Sequence, residues 1–237
     1  MFLYPPHPHS KMRIQHDSVV KLEEDGGWLA QRKYNGWHAV ISIKNGESQI
    51  WNRHGEAFTK YQLTPEMRKA LANIPGIDPK LEVVLDGEFI HGQAISDITG
   101  KQSQRNTLAL FDILYYGQPL LMMDFSERYK LLTALCGNPN KYEPKKRGLM
   151  VSEWGDEAGK HPEYLSQIWL AETFHNEFLY RFYEMYEFDK DGRDKFPDIE
   201  GLVCKRAKHS TLKSGNQEYD VTWMMRVRKT KENVYLF

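Results

Sequence analysis

The sequence lacks several features that mark particular classes of protein. It has two cysteines in 237 residues, too few for a disulfide framework, and no Cys-x-x-Cys or clustered His/Cys pattern that would predict a zinc site. It has no run of about 18 apolar residues, so no membrane span is expected, and its proline-rich N-terminus has no signal-peptide core. These absences favour a soluble protein of a reducing compartment, which we expect to be cytoplasmic, whether its genome is cellular, phage or viral.

The sequence also lacks net charge, with 32 basic residues against 32 acidic ones. A strongly basic total is the usual electrostatic sign of nucleic-acid binding, and that sign is missing here. Local patches matter more than the sum, however, and basic residues are concentrated at 145–147 and between 205 and 231. A composition of 41% hydrophobic and 27% charged residues is typical of a globular protein.

Hydrophobic periodicity and turn residues predict an α+β fold, with antiparallel sheets flanked by helices rather than a regular βαβ alternation. The predicted strands are 37–43, 49–53, 81–90, 108–115, 202–204 and 223–229. The predicted helices are 65–73, 125–135 and 162–188. Ser126 is the predicted N-cap of the second helix. The third helix is expected to pack on the core, with a nucleic-acid or partner contact as the alternative. The segment 189–194 resembles a calcium loop superficially, but Pro197 at the ninth position is unsuitable, so we interpret it as a solvated turn.

Three segments in the first half of the chain carry residue types suited to phosphate chemistry, although each is weak evidence alone. Lys33 precedes a turn and a strand. A lysine amine attacks only when neutral, a state that burial and nearby cations such as Arg32 favour. Asp86 and Glu88 are two apart on a predicted strand and therefore face one side, where they suit a ribose hydroxyl or a hydrated Mg²⁺. Phe111 lies in an apolar strand and is either a core residue or a base-stacking ring.

Two further segments lie near the C-terminal end of the sequence. Glu200 and Lys205 are five residues apart and would point to opposite faces of a regular strand, but Gly201 can turn the backbone between them. Arg226 and Arg228 share one face of a predicted strand, and guanidinium groups bind phosphate through two parallel hydrogen bonds. An exposed sheet edge would also explain this pair.

Taken in order, these segments resemble the covalent nucleotidyltransferases, namely ATP-dependent DNA ligases, RNA ligases and mRNA capping enzymes. The resemblance extends over most of the chain and rests on the motifs at 33–36, 52–55, 86–88, 111–112, 200–205 and 226–228. Each motif is weak by itself, but six in the family's order are specific. The resemblance implies the nucleotidyltransferase (adenylation) fold of the ligase and capping type, with sheets and helices around a nucleotide cleft.

The resemblance also implies a reaction that uses ATP and Mg²⁺. Lys33 would attack the α-phosphate and release pyrophosphate, AMP would pass to a 5′-phosphate, and a 3′-hydroxyl would displace AMP and close the nick. Such in-line transfer depends mainly on positioning and on neutralising charge. The implied roles are adenine recognition by Gln31, stacking by Phe111, ribose binding by Glu88, a ribose or nucleic-acid phosphate contact by Arg53, Mg²⁺ binding by Glu88 and Glu200, phosphate binding by Lys205, Arg226 and Arg228, and nucleotide contacts by Arg32 and His38.

The sequence departs from the family pattern at several positions. Asn35 replaces the usual aspartate, His38 lies where an arginine is usual, and Arg226 and Arg228 replace a lysine pair one residue later than expected. Residues 1–237 are expected to form a single nucleotidyltransferase domain, with no C-terminal OB domain of the kind that encloses the duplex in DNA ligases. The chain would then be a minimal ligase, a domain of something larger, or a protein whose partner supplies the clamp.

Four functions fit these motifs. A ligase that seals nicked DNA is favoured, because the residues at 85–89, 110–114 and 200–205 resemble the motifs of DNA ligases more than those of RNA ligases. An RNA ligase or RNA–DNA hybrid ligase is the first alternative, since the choice of strand depends on 2′-hydroxyl contacts and duplex shape. A GTP-dependent capping enzyme fits Gln31 less well. A non-catalytic remnant that binds nucleic acid would not need Lys33, Glu88, Glu200 and Lys205 together. No membrane partner is expected.

Overall fold

The computed structural model of the protein describes residues 3–8, 16–58, 63–90, 107–137, 141–143, 148–154, 166–186, 199–215 and 217–229. In chain order its elements are β1 (Pro6–Pro8), α1 (His16–Glu24), β2 (Trp28–Tyr34), β3 (Trp37–Lys44), β4 (Glu47–Asn52), α2 (Pro65–Ala72), β5 (Val83–Ile90), β6 (Thr107–Tyr116), α3 (Phe125–Leu135), β7 (Lys141–Glu143), β8 (Gly148–Trp154), β9 (Ser166–Ala171), β10 (Thr173–Phe174), α4 (Phe178–Tyr183), β11 (Ile199–Arg206), β12 (Tyr219–Val221) and β13 (Met224–Arg228). None of the helices within these ranges is long and apolar enough to cross a membrane.

The strands form two main sheets. The larger has the order β4-β3-β5-β6-β9-β8-β7, and all its neighbours are antiparallel except the parallel pair β6–β9. The smaller is antiparallel throughout, with the order β10-β2-β11-β13. The short strand β1 pairs in parallel with β12. The predicted α+β class is therefore confirmed.

Two apolar clusters hold these layers together. One packs the larger sheet against α2 and α3 and includes Ile41, Leu85 and Met67. The other joins both sheets to α4, and it includes Ala109 from β6 and Leu202 from β11. Because the two sheets share this second core, their remaining facing surfaces are free to line a cleft. Burial also raises the pKa of the Cys136 and Cys204 thiols to about 12.

The predicted helix at 162–188 is wrong over most of its described length. Residues 166–171 form β9 and 173–174 form β10, and only 178–183 are α-helical, followed by a 3-10 turn at Glu184–Tyr186. Four consecutive residues of β9, 168–171, are completely or almost completely buried. A strand covered on both faces carries a continuous apolar run, which periodicity alone does not separate from a helix. Residues 162–165 and 187–188 and the turn at 189–194 lie outside the described residues.

The other predicted elements are confirmed within a few residues, but one cap is wrong. The N-cap of α3 is Asp124 rather than Ser126. Asp124 and Glu127 form a capping box, in which the Asp124 backbone N–H donates to the Glu127 carboxylate at 3.1 Å. Such a box satisfies two backbone N–H groups that the first turn of a helix leaves unpaired.

Candidate active site

A cleft of about 480 Å³ lies where the two sheets face each other. The smaller sheet contributes side chains from β2, β11 and β13, and the larger sheet contributes them from β3, β5 and β6. The N-terminal strand β1 closes one side of the cleft. The predicted site residues that border the cleft are Gln31, Arg32, Lys33, His38, Arg53, Glu88, Phe111, Glu200, Lys205, Arg226 and Arg228, although the guanidinium of Arg32 binds Arg181 and Glu184 instead of entering the cleft.

Lys33 and Glu200 form the centre of this cleft. Lys33 lies on β2, and its Nζ contacts Oε1 of Glu200 on the neighbouring strand β11. The other carboxylate oxygen of Glu200 accepts a hydrogen bond from Nη2 of Arg228 on β13, at 3.0 Å. One acid therefore links two cations across three adjacent strands, and it fixes the direction in which the lysine amine points.

A β-bulge brings Glu200 to this position. In the pairing of β11 with β2, Ile199 lies opposite Tyr34 and Gly201 opposite Lys33, so Glu200 is the extra residue. Gly201 has φ +149°, and a Cβ there would lie 1.8 Å from the backbone oxygen of Val227. Only glycine fits such an approach. The expected change of direction between Glu200 and Lys205 is thus produced by the bulge at this glycine.

A second bulge lies at Phe111, whose ring borders the cleft. On β6, Asp112 pairs with Asp86 and Leu110 pairs with Gly87, which leaves Phe111 as the additional residue. The Gln31 side-chain amide lies beside it, donating from Nε2 to the Phe111 carbonyl oxygen at 3.2 Å and to Thr173 Oγ1 at 2.9 Å. The ring and the amide that the resemblance assigns to adenine are therefore held together.

Two polar side chains, His38 and Glu88, line the wall formed by β3 and β5, and the buried Asp86 binds His38. His38 Nε2 lies 2.6 Å from Oδ1 of Asp86. Burial by itself lowers the pKa of His38, but the charge and hydrogen bond of Asp86 outweigh this effect and raise that pKa above its ordinary value. Glu88 lies directly opposite His38 and accepts a hydrogen bond from the Gly36 N–H at 3.0 Å. Burial raises the pKa of Glu88, and the negative charge of Glu200 adds to this effect, against the lowering influence of Lys33 and His38.

Lys205 borders the cleft, but its ammonium is packed between aromatic rings. Its Nζ lies 4.8 Å from the ring centroid of Phe111 and 4.3 Å from that of Phe125. It is 2% exposed and has no hydrogen-bond partner among the described residues. Burial lowers the pKa of Lys205 to about 8, although the charges of Asp112 and Asp86 act in the opposite direction. In this position the side chain supports the Phe111 ring, and its predicted phosphate contact stays a prediction.

The lowered pKa of Lys205 makes stability depend on pH. Between about pH 8 and the ordinary lysine pKa of about 10.4, the unfolded chain binds a proton that the folded chain does not. The free energy of unfolding should therefore rise with pH across this window, by at most about 1.4 kcal/mol per pH unit, and stay constant with respect to this group below pH 8. We would measure the free energy of unfolding of the wild-type protein and of Lys205→Met by denaturant unfolding at a series of pH values. The difference between the two proteins should show this rise. A difference that is flat between pH 7 and 10 would contradict the assignment.

Arg32 is directed away from this group of side chains. Its guanidinium lies on the other face of β2, where Nη1 contacts the carbonyl of Arg181 and Nη2 pairs with Glu184 at 2.7 Å. It also stacks on the Phe174 ring at 4.7 Å. Successive residues of a strand point to opposite faces, so the same geometry that turns Lys33 into the cleft turns Arg32 out of it. We assign Arg32 a structural role instead of the predicted nucleotide contact.

Sequence reasoning missed a buried ion pair directly behind the cleft. Arg128 of α3 binds Asp112 through two parallel hydrogen bonds, both of 2.9 Å, and it donates to the carbonyls of Met123 and Ser210. Both side chains are completely buried. The available signal was an arginine on the apolar face of α3, three residues after Phe125. The pair fixes the residue that follows Phe111.

Two sheets around a shared cleft, with a lysine, two carboxylates and an aromatic ring on its walls, define a nucleotidyltransferase domain of the adenylating type. Residues 10–153 match the family described as ATP dependent DNA ligase domain, and the chain belongs to this family. No curated protein sequence gives a significant match. The family is one of ATP-dependent enzymes.

Solved structures of DNA ligases are similar to the chain at low sequence identity. Mycobacterial DNA ligase D complexed with ATP and MES is 19% identical with a TM-score of 0.48, over 85% of this chain and 54% of that one. The ATP-dependent DNA ligase from bacteriophage T7 in complex with ATP is 14% identical with a TM-score of 0.47, over 92% and 67%. The chain thus spans about half the length of the ligase D structure.

Proposed function

We propose that the protein is an ATP-dependent polynucleotide ligase that seals nicks between a 5′-phosphate and a 3′-hydroxyl, with DNA as the favoured substrate. The observation that carries this proposal is the placement of Lys33 in the cleft, with its amine held by Glu200 and with Phe111 and Glu88 lining the same cleft. Membership of the DNA ligase family supports the choice of ATP and of DNA. Residues 1–237 would act as one adenylation domain.

The first step would make a covalent bond between the protein and AMP. Lys33 Nζ loses a proton to solvent and attacks the α-phosphorus of ATP. The new nitrogen–phosphorus bond forms as the bond to the β-phosphate oxygen breaks, pyrophosphate leaves, and the nitrogen releases a second proton to solvent. Glu200 contributes by fixing the amine, since a reacting atom must be aligned with the bond that breaks. Arg226 and Arg228 line the same cleft and would neutralise phosphate charge.

The second and third steps would use the same site. A 5′-phosphate oxygen of the nucleic acid attacks the lysyl-AMP phosphorus, which returns the electron pair to Lys33. The 3′-hydroxyl then attacks the activated 5′-phosphate, loses its proton and expels AMP. Throughout, Phe111 would stack on adenine, Gln31 would recognise its edge, and Glu88 and His38 would contact the ribose. Arg53 would hold ribose or a phosphate of the incoming strand.

The carboxylates of the cleft fit a role for Mg²⁺. Glu88 and Glu200 line the same cleft, and the negative charge of Glu200 contributes to the raised pKa of Glu88. Mg²⁺ is usually bound by one or two carboxylates together with phosphate oxygens and water. Within the described residues no group of three or more His, Cys, Asp or Glu side chains could hold a metal by itself, so the ion would be shared with the nucleotide. When bound, Mg²⁺ would supply positive charge to the phosphates.

Intact mass measurement tests this proposal directly. We expect the protein incubated with ATP and Mg²⁺ to gain the mass of one AMP, and to gain nothing with GTP. Addition of a nicked duplex should discharge the adduct and join the strands, and parallel duplexes with RNA on one or both strands would rank the substrates. Absence of an adduct with either nucleotide would contradict the proposal. A GMP adduct would indicate a capping-type activity instead.

A further inference from the structure

Three nitrogen-bearing side chains converge on one carboxylate at the mouth of the cleft. Glu218 Oε1 lies 3.2 Å from His7 Nε2 and 3.8 Å from Arg53 Nε, and Oε2 lies 3.3 Å from His54 Nδ1. The four residues come from β1, from the turn after β4 and from the segment before β12. His7, Arg53 and His54 line the cleft itself. One acid therefore connects three separate segments at the entrance of the proposed active site.

The contacts that hold this carboxylate are loose. Arg53 Nε is too far from Glu218 for a hydrogen bond. His7 Nε2 is buried and has no aligned hydrogen-bond partner among the described residues, although the carboxylate is 3.2 Å away. Arg53 and His54 are half exposed, at 52% and 50%, and exposed ion pairs contribute little to stability. Glu218 is therefore in a position from which another anion can displace it.

The nitrogen donors suit an anion with more oxygens than a carboxylate has. Arg53 Nε donates to His54 Nε2 at 3.1 Å, so the proton of a neutral His54 is on Nδ1, facing Glu218. The other N–H groups of the Arg53 guanidinium and the Nε2 atom of His7 are the remaining nitrogen groups available to an anion at this position. Phosphate offers three or four oxygens and more negative charge, and guanidinium and imidazole donors bind it strongly.

We propose that His7, Arg53 and His54 form a phosphate-binding site, which Glu218 fills as an internal substitute until a phosphate group displaces it. This inference rests on the proposed function, because that reaction brings phosphate groups into the cleft. The phosphate belongs either to ATP or to the nucleic acid, and both offer the same chemistry to the three donors. None of the six ligase motifs includes His7 or Glu218.

Charge-removal variants of the full chain test the site. Glu218→Gln keeps the shape of the side chain and removes the internal anion. Glu66→Gln, at the start of α2, removes one exposed acid elsewhere and controls for net charge. For each protein we would measure the Kd for a fluorescent nicked duplex by anisotropy and the Kd for ATP by calorimetry. Glu218→Gln should tighten one of the two by about fivefold, whereas Glu66→Gln should change either by less than about twofold, because distant charges are screened.

The outcomes distinguish a phosphate of ATP from a phosphate of the nucleic acid, and they distinguish failure of the phosphate site from failure of the proposed ligase function. A gain for the duplex alone assigns the site to a nucleic-acid phosphate, and a gain for ATP alone assigns it to the nucleotide. His54→Ala in the Glu218→Gln protein should cancel the gain. Equal behaviour of Glu218→Gln and Glu66→Gln, weaker binding of both ligands, or a full gain that survives His54→Ala would overturn the inference. Both Kd values are measured without Mg²⁺, so that no adduct forms during the titration. A wild-type protein that forms no AMP adduct with Mg²⁺ therefore contradicts the proposed function and not this site.

Discussion

Lys33→Arg is expected to form no AMP adduct, a loss of at least about a thousandfold in the rate of adenylation. Arginine keeps the positive charge that Glu200 binds in the wild-type protein. Its guanidinium stays protonated at any pH the fold tolerates, however, and so offers no free electron pair to phosphorus. The variant therefore separates two roles of Lys33, since a residue that only held phosphate would work well as arginine. Intact mass after incubation with ATP and Mg²⁺ measures the difference.

Two controls make this result specific. A duplex whose nick already carries 5′-linked AMP bypasses the first two steps, so Lys33→Arg should join it far better than it joins an ordinary nick. Lys33→Ala should also form no adduct. It removes the cation that contacts Glu200 Oε1 and leaves the hydrogen bond from Arg228 to Oε2 in place. If Lys33→Arg gained AMP at a rate near wild type, another side chain would be the nucleophile.

Arg128→Leu should lower the free energy of unfolding by about 3–5 kcal/mol, because it leaves the Asp112 carboxylate buried without its partner. The cost includes the two carbonyls, of Met123 and Ser210, that lose their donor. Leucine fills part of the volume but supplies no N–H group. Denaturant unfolding followed by circular dichroism would give the value by linear extrapolation.

Arg206→Leu is the matched control for Arg128→Leu. Its guanidinium is 46% exposed and lies 3.7 Å from the Asp25 carboxylate, so its removal should change stability by less than about 1 kcal/mol. If Arg128→Leu lost no more than this control, the buried pair would not be an important support of the cleft. Because Asp112 follows Phe111, a folded fraction of Arg128→Leu should also bind ATP more weakly.

The sequence was sufficient to predict most strands of the cleft, because β3, β5, β6 and β13 begin and end at turn residues or polar segments that local rules recognise. It was not sufficient for β9. Residues 168–171 of that strand are buried on both faces, and their apolar run carries no alternation, so only the pairing with β6 and β8 decides the conformation. Local pattern and tertiary pairing disagree there, and the pairing prevails.

The candidate site was predicted from motif order, but the orientation of its side chains was not. Strand alternation alone would place Glu200 and Lys205 on opposite faces, and it would also place Phe111 and Asp112 on opposite faces. In both places a bulge supplies an extra residue, and at Glu200 it changes the direction of the side chain. A bulge depends on how neighbouring strands pair over long distances, which no short window of sequence contains. The same long-range pairing determines the face of β2 to which Arg32 points and the position of Asp112 on β6, which Arg128 binds.

The inert thiols of this protein make it well suited to site-directed fluorescent labelling. Cys136 and Cys204 are buried, and their raised pKa values keep them as unreactive thiols near neutral pH. A maleimide dye would therefore react selectively with a cysteine introduced at an exposed position such as Met122, which is 87% exposed. One dye at a known surface point could report the arrival of a duplex in real time, with neither native cysteine removed.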